Sequence, residues 1–168
     1  MLKTLAARCG FAARCGFAAL ILAAATAGLP AAAAPTAAPT AGPAVDDLTI
    51  ATASGDHHFA VEVMRSRDEL ERGLMFRRQM AADHGMLFDF GSPQPVTMWM
   101  KNTYLPLDMV FIAADGRVVS VKQNAEPLSE RTIYSGGDVL GVLELNAGVA
   151  ARIGVKPGDT VADPMFKR

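Results

Sequence analysis

Between Leu48 and Val161, segment after segment alternates apolar and polar residues, and this period of two governs what the chain can fold into. Successive side chains of a strand point to opposite faces, so the alternation predicts half-buried strands. Residues 48–50 make one such segment. Residues 57–64 make another, with Phe59, Val61 and Val63 on one face and Ala60 and Glu62 on the other. Residues 86–90 and 96–100 follow, then 139–145 and a short closing pair, Thr160-Val161. The clearest unit is 109–122, where two β-branched runs flank Asp115-Gly116. That pair is favoured in tight hairpin turns because Gly tolerates positive φ. Ser66 and Glu69 have capping-box spacing, and Gly73 can end the resulting helix in a left-handed conformation. A second short helix fits 148–153, stopped by Gly154 and then Pro157. Many short strands with Gly/Pro turns and one or two short helices predict a mainly β fold, a β-sandwich or a small barrel-like domain.

The N-terminal part has a different character. Lys3, Arg8 and Arg14 are the only charged side chains before Asp46, and they precede an apolar run, 17–29, too short to span a bilayer as a helix. Small residues at 31–34 offer Ala-x-Ala cleavage sites. Residues 1–34 therefore read as a signal peptide, and the protein as exported, periplasmic or extracellular, with no transmembrane span after cleavage. Residues 6–17 repeat AARCGF in tandem and hold both cysteines, Cys9 and Cys15, with no lipobox before either. The mature chain then has no disulfide and no thiolate nucleophile, and must hold itself together by packing alone. Residues 35–45, built of Pro, Ala, Thr and Gly before Val45, form a tether, and the folded domain is 46–168. Without Lys3, Arg8 and Arg14 the 16 basic residues fall to 13, against 17 acidic ones. No basic stripe runs through the domain, which argues against nucleic acid as a partner.

Groups that could do chemistry are sparse. His57 and His58 are adjacent, so on a strand they point to opposite faces, and His84 lies in a turn, Asp83-His84-Gly85. No serine sits in a nucleophile elbow, and there is no His-x-x-x-His, P-loop or Gly-rich phosphate cradle. An unusual hydrolase would have to use Asp108 or Glu144 as general acid or base. In a small domain such carboxylates are more often turn and edge residues, so no catalytic residue, cofactor or metal ligand is assigned.

The densest cluster is Met98-Trp99-Met100-Lys101-Asn102-Thr103, continuing to Asp108. Trp99, the only tryptophan, offers a flat apolar surface with a polar edge, suited to a sugar ring or a ligand cation. Asn102, Thr103 and Asp108 are placed to converge with it at one end of the sheet. Arg72 and Arg77, flanking the helix end, can clamp a carboxylate or phosphate bidentately. Together Arg72, Arg77, Trp99, Asn102, Thr103 and Asp108 define a candidate cleft for a small polar or anionic ligand. The competing reading puts Trp99 in the core, Asp108 at a turn, and the arginines in solvent or paired with Asp68 or Asp89. Two further readings stand beside these. Met98 and Met100, helped by His84 and Met86, could hold Cu(I) through soft thioethers. The tethered domain could instead bind an envelope protein partner by strand addition.

Several blocks together carry a family likeness: Glu71-Arg72-Gly73-Leu74-Met75-Phe76-Arg77, His84-Gly85-Met86-Leu87-Phe88-Asp89-Phe90, Trp99-Met100-Lys101-Asn102-Thr103 and Pro106-Leu107-Asp108. With Val142-Leu143-Glu144-Leu145, Ala147-Gly148 and Gly158-Asp159, they make the stretch 49–161 resemble the prokaryotic family called domain of unknown function 192. The resemblance implies one β-rich domain, often exported, and brings no reaction, substrate or cofactor with it. Met98 departs from the family pattern, which has an aromatic residue there.

Overall fold

A computed structural model of the chain describes residues 44–167. The expected signal peptide, 1–34, and the tether up to residue 43 lie outside the described residues. The first strand, β1 (Ala44–Thr52), starts two residues before the expected domain boundary. Its backbone pairs Ala44 with Val63 and Val45 with Glu62, and ladder bonds of this kind make no demand on side-chain composition. β2 (Gly55–Met64) returns antiparallel after a two-residue turn.

The helix α1 (Arg67–Arg72) forms where its cap requires it. Ser66 Oγ accepts from the Glu69 N–H, while the Glu69 carboxylate accepts from the Ser66 N–H at 2.9 Å. Gly73 ends it with φ +44° and ψ −132°, a positive φ outside the left-handed helical region that was expected. A Cβ at Gly73 would stand 2.9 Å from the Phe88 ring, so the helix end lies directly on the sheet. Through α1 the chain crosses over to β3 (His84–Met98), which runs parallel to β2; the other strand pairs are antiparallel.

β3 is one long strand where two short ones were expected. Its register against β6 (Ile133–Asn146) slips between Asp89 and Gln94 and again between Pro95 and Thr97. Gly91-Ser92-Pro93 breaks the alternation there, and bulges carry the strand through the break. β4 (Leu107–Ile112) and β5 (Val118–Ala125) form the expected hairpin. Its turn is wider than a two-residue Asp-Gly turn: Gly116 N–H donates to Ala113 O at 3.0 Å and Ala113 N–H to Arg117 O at 2.9 Å. Gly116, at φ +82°, takes the bulge position of that longer loop. A short helix α2 (Val149–Ile153), β7 (Thr160–Ala162) and a 3-10 turn (Pro164–Lys167) complete the chain.

The strands make one sheet in the order β5-β4-β6-β3-β2-β1-β7. It is a curled half-barrel, not a sandwich of two sheets. Its outer strands meet where Arg117 bridges Thr160 and Val118 N–H donates to Asp159 O at 2.9 Å. Two apolar clusters form on it. Leu48, Val61, Leu87, Leu143 and Leu145 pack with Ile153 of α2. Met64, Leu74, Met86, Phe88, Met109 and Val142 make the other, on the side of α1. Among the described residues no helix is long and apolar enough to cross a membrane.

Candidate ligand cleft

Where α1 meets the end of β3, the second cluster does not close. A cleft of about 970 Å³ remains there, between α1, β3 and the segment that follows Met98. That segment is fastened from both sides by main-chain bonds. Met100 N–H donates to Ser129 O at 2.9 Å, Phe76 N–H to Asn102 O at 2.9 Å, and Leu128 N–H to Thr103 O at 3.0 Å. Phe76, Asn102 and Leu128 all hold positive φ, at 65°, 55° and 60°. Asparagine takes that conformation with little strain, whereas phenylalanine and leucine do not.

The cleft brings together Arg72, Trp99, Asn102 and Thr103, four of the six residues singled out from the sequence. Trp99 is 50% exposed, so it does not fill the core, and Lys101 Nζ lies 5.3 Å from its ring centre. Thr103 is buried and its Oγ1 donates to Lys101 O at 3.2 Å. Among the described residues Asn102 Nδ2 bonds only to a thioether, Met75 Sδ, at 3.8 Å, which is a weak acceptor. Of the arginines on the cleft, Arg65 pairs with Asp89 at 3.4 Å and Arg67 with Glu71 at 2.8 Å. Arg72 and Lys101 have no ion pair among the described residues, so the cleft carries free positive charge.

Glu144, projecting from β6, also lines the cleft. It stands in register with Met86 of β3 and Met109 of β4, and is 4% exposed. Among the described residues no donor hydrogen-bonds its carboxyl. Burial pushes that carboxyl up to about 8, because a desolvated carboxylate loses its hydration with nothing to replace it. Near neutral pH it is therefore an acid that still holds its proton. From the sequence, Glu144 is expected only as a general acid or base and not as part of the cleft. The available signal was a charge inside an apolar run, Val142-Leu143-Glu144-Leu145.

Arg77 and Asp108 are elsewhere. Arg77 makes a bidentate pair with Glu62 at 2.5 and 2.6 Å, beside a smaller cavity lined by His84 and Met80. Asp108 is fully buried: one oxygen accepts from Asn124 N–H and the other from Ala150 N–H, both at 2.8 Å. It caps α2, whose own N-cap, Gly148, has no side chain to do so. The thioethers weighed for copper do not share a cavity with the histidine. Met98 lines the cleft, Met100 lines a cavity on the far side of Thr132, and His84 lines the third. His57 and His58 bond to Ser54 and Thr49 on the exposed β1–β2 hairpin.

Fold and site together define a class: a β half-barrel with one helix-walled cleft that mixes an exposed indole, free cations and a buried acid. The family model described as "DUF192: Uncharacterized ACR, COG1430" matches residues 49–162, and the chain belongs to that family. Two solved structures are similar to it. A protein from Sinorhizobium meliloti 1021, described as a candidate transcription regulator, is 54% identical, with a TM-score of 0.71 over 73% of this chain and 95% of that one. A protein of unknown function from Novosphingobium aromaticivorans DSM 12444 is 42% identical, with a TM-score of 0.71 over 78% of this chain and 94% of that one. No protein of curated function matches the chain.

Proposed function

We propose that this is an exported binding domain whose cleft holds a small polar or anionic ligand against Trp99. The observation that carries the reading is electrostatic. The domain has 13 basic against 17 acidic residues once Lys3, Arg8 and Arg14 are set aside, yet its cleft is lined by Arg72 and Lys101, which have no ion pair among the described residues. An acidic protein that keeps unpaired cations beside an exposed indole and a buried polar floor has the features of an anion-binding pocket. Binding rather than turnover is favoured because Thr103, the buried hydroxyl of the cleft, donates to the Lys101 carbonyl, and no base among the described residues hydrogen-bonds it. Export rests on the basic start, short apolar run and small-residue exit of residues 1–34.

The Sinorhizobium meliloti relative is described as a candidate transcription regulator. DNA binding by this chain would need a basic face, and the acidic balance of the domain argues against one.

The test uses Trp99 as its own reporter. Its fluorescence should change saturably with at least one member of a panel of organic acids, sugar acids and phosphate, and Arg72→Ala should weaken that response at least tenfold. A flat response to the whole panel from folded protein would overturn the reading.

A further inference from the structure

Glu144 is the one group on the cleft whose presence packing does not explain. It occupies a position between Met86 and Met109 that an apolar side chain would fill, and no described donor reaches its carboxyl. A carboxyl set among apolar side chains with no protein donor is costly unless water or a ligand supplies the partner. The open side of Glu144 is the cleft itself.

Resting on the cleft reading above, we infer that Glu144 is the hydrogen-bond donor that selects the ligand, a hydroxylated organic acid of the sugar-acid type, and that the ligand binds only while Glu144 carries its proton. Three features of the cleft match three features of such a molecule. The exposed indole of Trp99 suits the C–H face of a sugar ring. Arg72 and Lys101 suit its carboxylate. The neutral Glu144 carboxyl can donate to one hydroxyl oxygen and accept from another, and Asn102 offers an amide N–H₂ whose partner among the described residues is a thioether.

The surroundings of Glu144 make its proton the one that counts. From α1 the cleft receives Arg67 and Glu71, paired to each other, and Arg72; from the segments beside it, Arg65, paired to Asp89, and Lys101. On β3, His84 pairs with Asp83 and lies beside a different cavity. On β4, Asp108 has both oxygens bonded on the opposite face of the sheet. Ionisation of Glu144 would remove the donor and set a second carboxylate beside the ligand's own.

Fluorescence titration with D-glucuronate, D-glucose and acetate between pH 6 and 9.5 tests this. Glucuronate should bind tightest, because glucose lacks the acid and acetate lacks the ring. The apparent Kd should be flat near pH 6 and rise about tenfold per pH unit above the Glu144 midpoint, as the binding-competent fraction falls. Glu144→Gln, which keeps a donor of the same shape, should bind across the whole range without that rise, and Glu144→Leu should bind at least tenfold more weakly at pH 6. A carbon-13 titration of the Glu144 carboxyl provides a ligand-free check: a midpoint below 6 overturns the inference. So does a wild-type Kd that stays flat to pH 9.5, or a panel in which acetate or phosphate binds and glucuronate does not. In those last two cases the cleft reading survives, whereas loss of every response removes both.

Discussion

Glu144→Gln should stabilise the free protein, by an amount that depends on pH in a way no ordinary packing change can imitate. The carboxyl ionises near 4.5 in the unfolded chain and near 8 in the fold. Below the lower value both states are protonated, and burial of the neutral acid carries no ionisation penalty. As pH rises from 4.5 towards 8 the unfolded chain releases its proton and the fold does not, so stability falls by about 1.4 kcal/mol per pH unit. By pH 7 the accumulated loss is about 3 kcal/mol, and it levels off above pH 8. That is a large share of the roughly 5–15 kcal/mol that holds a domain of this size together. Glutamine has nearly the same shape, never ionises, and leaves an amide unpaired much as the neutral acid was. The variant should therefore match wild type within about 1 kcal/mol near pH 4.5 and exceed it by about 3 kcal/mol at pH 7. Urea unfolding followed by far-ultraviolet circular dichroism at five pH values would measure the difference. A gap that stays constant between pH 5 and pH 8 would refute the reasoning, because it would mean that Glu144 ionises in the fold as it does in water.

Two further outcomes separate structural residues from cleft residues. Asp108→Asn can keep only one of the two bonds it accepts from backbone N–H groups and turns an amide N–H₂ towards the other N–H. It should cost about 2–3 kcal/mol in a denaturant titration and leave ligand affinity unchanged in the folded fraction. Arg77→Ala removes a half-exposed pair and should cost no more than about 1 kcal/mol at pH 7. Because Arg77 holds the Glu62 carboxyl below its usual range, that contribution is present above the ordinary carboxylate value and lost on acidification. The variant and wild type should converge as acidification carries the pH below the lowered Glu62 value, and a difference that persists once Glu62 is protonated would point to packing by the arginine stem.

Local signals were the readable ones. The capping box at Ser66 and Glu69, the positive φ of Gly73 and Gly116, and the period of two in 57–64 each depend on neighbours a few residues away. β3 was misread as two strands because Gly91-Ser92-Pro93 looks like a terminator, and only pairing with β6 shows the chain continuing through it. Arg77 was misplaced for a similar reason: its carboxylate, Glu62, lies on a different strand, and its spacing in sequence carries no signal. The error at Asp108 is one of parity. Met109 pairs with Glu144 and so shares its face, which places Asp108, one residue earlier, on the opposite face with Leu145. Proximity in sequence to Trp99 suggested a cleft residue. A one-residue step along β4 made it a cap for α2 and left Glu144, far away in sequence, on the cleft.

Several features that work against stability lie around this cleft. Phe76 and Leu128, each more than half exposed, hold a left-handed backbone that costs roughly 1–2 kcal/mol for a bulky residue. Each uses its N–H to fix a carbonyl of the Asn102-Thr103 pair, so the strain is tied to the position of the cleft wall. Glu144 adds its ionisation penalty on the cleft floor. A domain shaped by packing alone would put glycine at 76 and 128 and an apolar residue at 144. The other large cavity, about 720 Å³, offers a contrast: its charged residues, Lys122, Glu126 and Arg131, are all exposed. Strain and a desolvated acid beside the Trp99 cleft are features a preorganised binding site would have, and they support the proposal of a ligand there over one in the other cavity.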